Sequence, residues 1–182
     1  MGNRMPPAVE IAVRAQAIAQ LFNSLDPSPF RERDIDAGVE EFVVGWAREI
    51  PAGDSLVIAV HLPAGESTSP EAGLIGEAFS HYFADRARIA QLELRELFRV
   101  GRRSLAIGLS VLVACLTASQ AAAALVPNAV LARVLEESLI IVGWVANWRP
   151  IEIYLYDWLP IRRRIRLYRR ISDATVVVKS GL

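Results

Sequence analysis

The chain is poor in the residues that build reaction centres. It holds one cysteine, Cys115, and two histidines, His61 and His81, among 182 residues. A single cysteine closes no disulfide within the chain and builds no cysteine-based zinc site. Cys115 lies inside the longest apolar run and reads as a packing or lipid-facing residue. No glycine-rich phosphate loop and no paired catalytic carboxylate signature is present. Ser80 and His81 are neighbours on a predicted helix, where adjacent side chains point apart, so they do not form a nucleophile and base. Glu77, His81 and Asp85 recur every four residues, with His61 near the end of the preceding strand, and such a set suits a metal. A solvated helix face beside Arg86 and Arg88 is the preferred reading. No catalytic residue, metal or cofactor is therefore expected. Met1 to Pro7 lack the apolar core of a signal peptide, so export of the N-terminus is not expected.

What the chain has in excess is apolar surface. Hydrophobic residues make up 53% of it, above the roughly 45–50% of ordinary globular chains, and the excess is concentrated. Ser104 to Ala132 contains no charged residue, and the part before Pro127 is 23 residues long. At about 1.5 Å per residue that crosses a hydrocarbon core of about 30 Å. Ala114, Ala118, Ala121 and Ala122 allow a second helix to approach closely. Its expected span is about 131–148, interrupted on its N-terminal side by Arg133, Glu136 and Glu137. Trp144, Trp148, Tyr154, Tyr156 and Trp158 crowd its exit, as amphipathic rings do at a headgroup boundary.

Charge is balanced overall but not along the chain. Residues 1–100 carry nine arginines and fifteen acids, and residues 101–182 carry eleven cations and five acids. Arg99, Arg102 and Arg103 precede the first span, and six arginines follow the second, whereas the connection between spans has Arg133 as its one cation. Cations are retained in the cytoplasm, so both termini are expected there, with the bilayer being a bacterial inner membrane. Arg162, Arg163, Arg164, Arg166, Arg169 and Arg170 surround Ile161, Ile165 and Tyr168 at helical spacing. They form a candidate lipid surface rather than a nucleic-acid site. Arg149, Glu152 and Asp157 are candidate intramembrane polar residues, as groups for a conduction path or as interfacial pairs.

The remainder reads as a soluble region. Ile11, Ala15, Ile18 and Phe22 predict a helix over about 8–23. The turn-rich stretch Ser24 to Phe30 ends it, and Ser24 to Asp36 either docks a partner or, through Pro27 and Pro29, wraps the chain around the core. A second helix is predicted over about 36–50, with acids near its N-terminus. Ser55 to Leu62 is short, β-branched and continuously apolar, a buried strand. The one other strand-like run is about 174–179, so Val176 to Val178 is expected to pair with Val57 to Val60, within the chain or across a homodimer. Ser69 and Pro70 open a long helix predicted to continue past Gly101 to Val126.

The expected fold is thus a mainly α membrane protein with a small α/β-type region. Its expected organisation is a cytoplasmic region at 1–100, a transmembrane hairpin at 101–160 and a basic amphipathic segment with a strand at 161–182. LFNSLDPSPFRERDID with EEFVVGWAREIP, GRRSLAIG and WRPIEIYLYDWLPIRRR resembles motifs of a family of uncharacterised bacterial inner-membrane proteins. The resemblance covers most of the chain and implies membrane location, with no activity to carry over. The 19 arginines against the single Lys179 fit a GC-rich bacterial source. The expected role is a non-catalytic membrane adaptor or accessory subunit that contacts lipid and a protein partner or a second copy. The alternative is a small oligomeric transport component.

Overall fold

The computed structural model describes residues 8–181, and the expectation for Met1 to Pro7 lies outside them. The chain divides into two compact units. One comprises the residues up to Ala90 together with those from Arg163 onward, and the other is Gln91–Arg162.

The first unit is built on three parallel strands, β1 (Ala8–Arg14), β2 (Ser55–Leu62) and β3 (Thr175–Ser180), in the order β1-β2-β3. Between β1 and β2 comes α1 (Ala37–Glu49), whose N-cap Asp36 accepts from the Gly38 amide at 2.9 Å. Between β2 and β3 come the short α2 (Ala64–Ser67) and the 51-residue α3 (Ile75–Leu125). Then follow α4 (Ala129–Val145), α5 (Trp148–Glu152), a π turn at Ile153–Asp157 and α6 (Trp158–Ser172). Both crossovers step the same way across the sheet, and right-handed connections then put their helices on one face. On that face Ile11, Val13, Ile58, Val60 and Leu62 form the core with Val43 and Ala47 of α1, Ile75, Phe79 and Phe83 of α3, and Ile171 of α6. The other face carries Glu10, Ala12 and Arg14, then Val57, Ala59 and His61, then Thr175, Val177 and Lys179. Lys179 reaches across the central strand to Glu10 at 2.7 Å, tying the two edges together.

Two expectations are corrected here, and a third, which left two alternatives open, is narrowed to one. Residues 8–14 are a strand, not the start of a helix, and the chain turns at Gln16 into a 3-10 turn, Ile18–Leu21. Ile11 and Ala15 are four apart, a spacing that fits both periods. The deciding pattern is the strict alternation of buried Ile11, Val13 and Ala15 with exposed Glu10, Ala12 and Arg14, which is the period of a strand. The third strand completes the sheet within one chain, so no second copy is needed to pair β2. β2 lies between β1 and β3, with Ile58 opposite Ile11 on one side and Val176 on the other. Finally, the long helix begins at Ile75, because Ser69 accepts the Ala72 amide at 3.2 Å in a preceding turn and Ala72–Leu74 is a 3-10 turn.

In the second unit, the apolar end of α3 continues to Leu125 without a break at Gly101. Among the described residues it is the one helix long and apolar enough to cross a membrane. Asn128 caps α4, its side chain accepting from the amides of Val130 and Leu131. The expected second span of 131–148 is observed as a 17-residue helix that ends at Val145, where Ala146 and Asn147 form a turn.

Candidate functional site

The packing inside the second unit is inverted relative to a water-soluble core. Its buried positions on α3 are Gly101, Gly108, Cys115 and Ser119, and facing them lie Ala132, Gly143, Asn147, Pro150 and Ile153. Apart from Ile153, the large apolar side chains mostly point away: Ile107 is 66% exposed, Leu125 78%, Val130 75% and Val145 66%. The approach is close because the meeting residues lack bulk. A Cβ on Gly108 would come within 2.8 Å of the Asn147 Oδ1 and 2.9 Å of the Ala146 carbonyl. One on Gly143 would come within 2.8 Å of Leu112 Cδ1 and 3.3 Å of Cys115 Cβ. Small residues at such a seam let backbones gain dispersion contacts over a wide area. Asn147 is the polar fastener, donating from Nδ2 to the carbonyls of Gly108 at 3.1 Å and Gly143 at 3.0 Å.

Arg149, Glu152 and Asp157 do meet, around the π turn. Arg149 bonds Glu152 at 3.2 Å and Asp157 at 2.9 Å, so its charge is answered locally on both sides. Trp148 adds a donation to Glu152 at 2.9 Å, and Trp158 donates to the Tyr154 carbonyl at 2.9 Å. Phe98 stacks on Tyr154 with ring centroids 6.0 Å apart. Of the aromatic exit read from the sequence, Trp148, Tyr154 and Trp158 are therefore joined in one bonded cluster.

The arginines of α6 separate into different roles. Arg162 sits over the Trp158 ring at 5.5 Å. Arg163, Arg166 and Arg169 are exposed, and Arg164 is half-buried. Arg170 leaves the candidate lipid surface, because its guanidinium points inward. It donates to the carbonyls of Ile50 at 2.8 Å, Pro51 at 2.8 Å and Asp54 at 3.0 Å, closing the C-terminal end of α1. A cation there satisfies orphan carbonyls at the negative end of the helix dipole. Nothing in the spacing of the basic run distinguishes Arg170 from its neighbours; the signal lies in which turn of α6 faces α1.

A second polar cluster was not anticipated. Glu40, on α1, accepts from Tyr82 at 2.7 Å and from two nitrogens of Arg86 at 2.9 Å, and its side chain is 14% exposed. Tyr168 of α6 stands 3.5 Å away. Burial, then the bond to Glu40, push the Tyr82 phenol well above its ordinary value of 10.0. Tyr82 and Arg86 are four apart on α3, and that spacing was the available signal. The metal set does not assemble. Glu77 pairs with Arg31 at 3.3 Å and Asp85 with Arg88 at 2.9 Å, and among the described residues no three metal-ligating side chains converge.

The segment from Ser24 to Asp36 is an ordered loop. Asp26 accepts from the amides of Ser28 at 2.9 Å and Asp34 at 2.6 Å, and Asn23 accepts from the Leu25 amide at 2.9 Å. The bonds from Ser28 and Asp34 hold the Asp26 carboxyl below its ordinary value. These bonds present Leu25, 88% exposed, at the tip.

The fold thus defines a three-stranded parallel α/β unit whose second crossover carries a long apolar helix. Compared with known proteins, the chain matches no family model, no curated protein and no solved structure.

Proposed function

We propose that this chain is a non-catalytic membrane adaptor: a hairpin of the apolar part of α3 and of α4 inserts in the bilayer, and the α/β unit docks a protein partner on the cytoplasmic side. The observation that carries the membrane reading is the inverted packing, with glycine, serine, cysteine and asparagine inside beside Ile153, and most leucine, isoleucine, valine and tryptophan side chains outside. In water that arrangement would leave a large apolar surface exposed; in lipid it places that surface against a matching solvent.

A topological argument supports a second crossing. β3 pairs with β2 in one sheet, so whatever leaves that unit along α3 must return to it. A chain that crosses a bilayer once between two paired strands has to cross again. The α4 helix alone is short, but the aromatic and ionic cluster around Arg149 gives its exit an interfacial end. The retained arginines flanking the hairpin support a cytoplasmic location for the α/β unit.

The docking role rests on the Ser24 to Asp36 loop. A loop held by internal hydrogen bonds that offers an exposed leucine beside Asp26 loses less conformational entropy on binding than an unbonded one. Single-cysteine labelling in intact cells and in opened membranes tests the topology, using Cys115→Ala as background. Asn128→Cys is expected to react with an impermeant maleimide from outside, and Ser28→Cys only after opening. The reverse pattern overturns the orientation, and protection of Asn128→Cys in both preparations overturns the crossing. The adaptor role is tested by crosslinking in native membranes with mass spectrometry: a stoichiometric partner lost on Leu25→Asp supports it. Self-capture alone would turn the reading toward an oligomeric transport component.

A further inference from the structure

In the order β1-β2-β3, one edge of β1 is unpaired among the described residues. The Ala15 amide donates to His61 on β2 at 3.1 Å, so by alternation the odd residues of β1 bond to β2. The even residues Glu10, Ala12 and Arg14 aim their backbone groups at the free edge. An edge with three such residues in a row is a template for another strand. Beside it lies an open groove of about 420 Å³ lined by Ala12, Val13, Arg14, Gly38, Val39 and Phe42. Phe42 is 44% exposed and packs at 6.2 Å against Trp46, itself 52% exposed. An exposed aromatic ring, Phe42, backed by Trp46, therefore borders the unpaired strand.

The sequence of that edge is self-complementary in one register. Set antiparallel to a copy of itself about Ala12, Glu10 falls opposite Arg14 of the copy, Ala12 opposite Ala12, and Arg14 opposite Glu10. All three outward-facing residues then become hydrogen-bonded pairs, and both charge pairs are of opposite sign. Shifting the centre to Ile11 keeps the backbone pairing but sets Glu10 against Ala12 and loses both ion pairs. The two-fold axis through Ala12 is perpendicular to the sheet, so the helix-covered faces coincide and Phe42 and Trp46 of each α1 share one groove.

From this we infer that the chain dimerises through β1, forming a continuous six-stranded sheet with strand order 3-2-1-1-2-3. The partner is a second copy, because the charge pattern matches its own reverse. The inference is independent of the membrane reading, since every group it uses lies in the α/β unit.

The test is disulfide formation in the full chain carrying Cys115→Ala, in native membranes. Ala12 meets its own symmetry mate at a Cα separation of about 5.5 Å, within disulfide range. Ala12→Cys is expected to give an oxidised species of twice the 20.0 kDa chain, whereas Thr175→Cys, on the opposite edge strand, stays monomeric. Arg14→Glu in the Ala12→Cys background is expected to lower crosslinking about fivefold by opposing like charges. Adding Glu10→Arg and Lys179→Glu restores the cross-pair and the internal ion pair, and crosslinking with them. A maleimide-reactive but monomeric Ala12→Cys overturns the proposal, as does an adduct of another mass or dimer formation through Thr175→Cys. Failure of the triple charge exchange to recover crosslinking, with the sheet intact by circular dichroism, overturns the register.

Discussion

Asn147 donates to the carbonyl of Gly108 at 3.1 Å, across the seam between α3 and the turn that ends α4. The contact requires glycine at 108, since a Cβ there would meet both Asn147 and the backbone oxygen of Ala146. Gly108→Ala is therefore expected to destabilise the detergent-solubilised chain by about 1–2 kcal/mol, despite an intrinsic helix gain of about 1 kcal/mol. Gly45→Ala is the matched control, because a Cβ there meets nothing within 4 Å. It should stabilise by about 0.5–1 kcal/mol. Opposite signs in thermal unfolding check the pair; equal signs would contradict the seam.

Arg170 holds the end of α1 through several carbonyls, a geometry that a planar fork satisfies and an ammonium does not. Arg170→Met should cost about 2–3 kcal/mol, and Arg170→Lys should recover less than half. Amide hydrogen exchange is expected to rise at the last turn of α1 and at the 51–54 turn. Unchanged exchange there would mean the guanidinium contributes nothing to the cap.

Tyr82 binds its proton more tightly in the folded chain than in the unfolded one. A raised folded value contributes stability that is complete below the ordinary phenol value of 10.0 and is lost progressively above it, as pH rises through the raised folded value. Phenolate absorbance should show Tyr82 of the folded protein titrating above its ordinary value of 10.0. Tyr82→Phe should remove that difference and cost about 1 kcal/mol at neutral pH.

Asp26 has the opposite sign. Its lowered folded value gives a contribution present above the ordinary carboxylate value of 3.8 and lost as pH falls below it. Exchange of the Ser28 and Asp34 amides should therefore accelerate in acid. Asp26→Ala should show that faster exchange already at neutral pH.

The sequence by itself determined the elements whose periodicity had one interpretation. The helix ending near Glu49 was legible from its amphipathic period, the strand Ser55–Leu62 and its C-terminal partner from short β-branched apolar runs, and the long apolar helix from its uncharged length. β1 was misread because Ile11 and Ala15 satisfy both a strand and a helix, and only pairing with β2 separates the two. The aromatic and ionic exit near Arg149 was visible in composition, while the π turn that brings Asp157 within 2.9 Å of Arg149 was not. Glu40 with Tyr82, and Arg170 with Ile50, are joined across 42 and 120 residues. Such pairs leave no local pattern, since their partners are selected by which helix faces meet over the sheet, and that selection belongs to the tertiary structure.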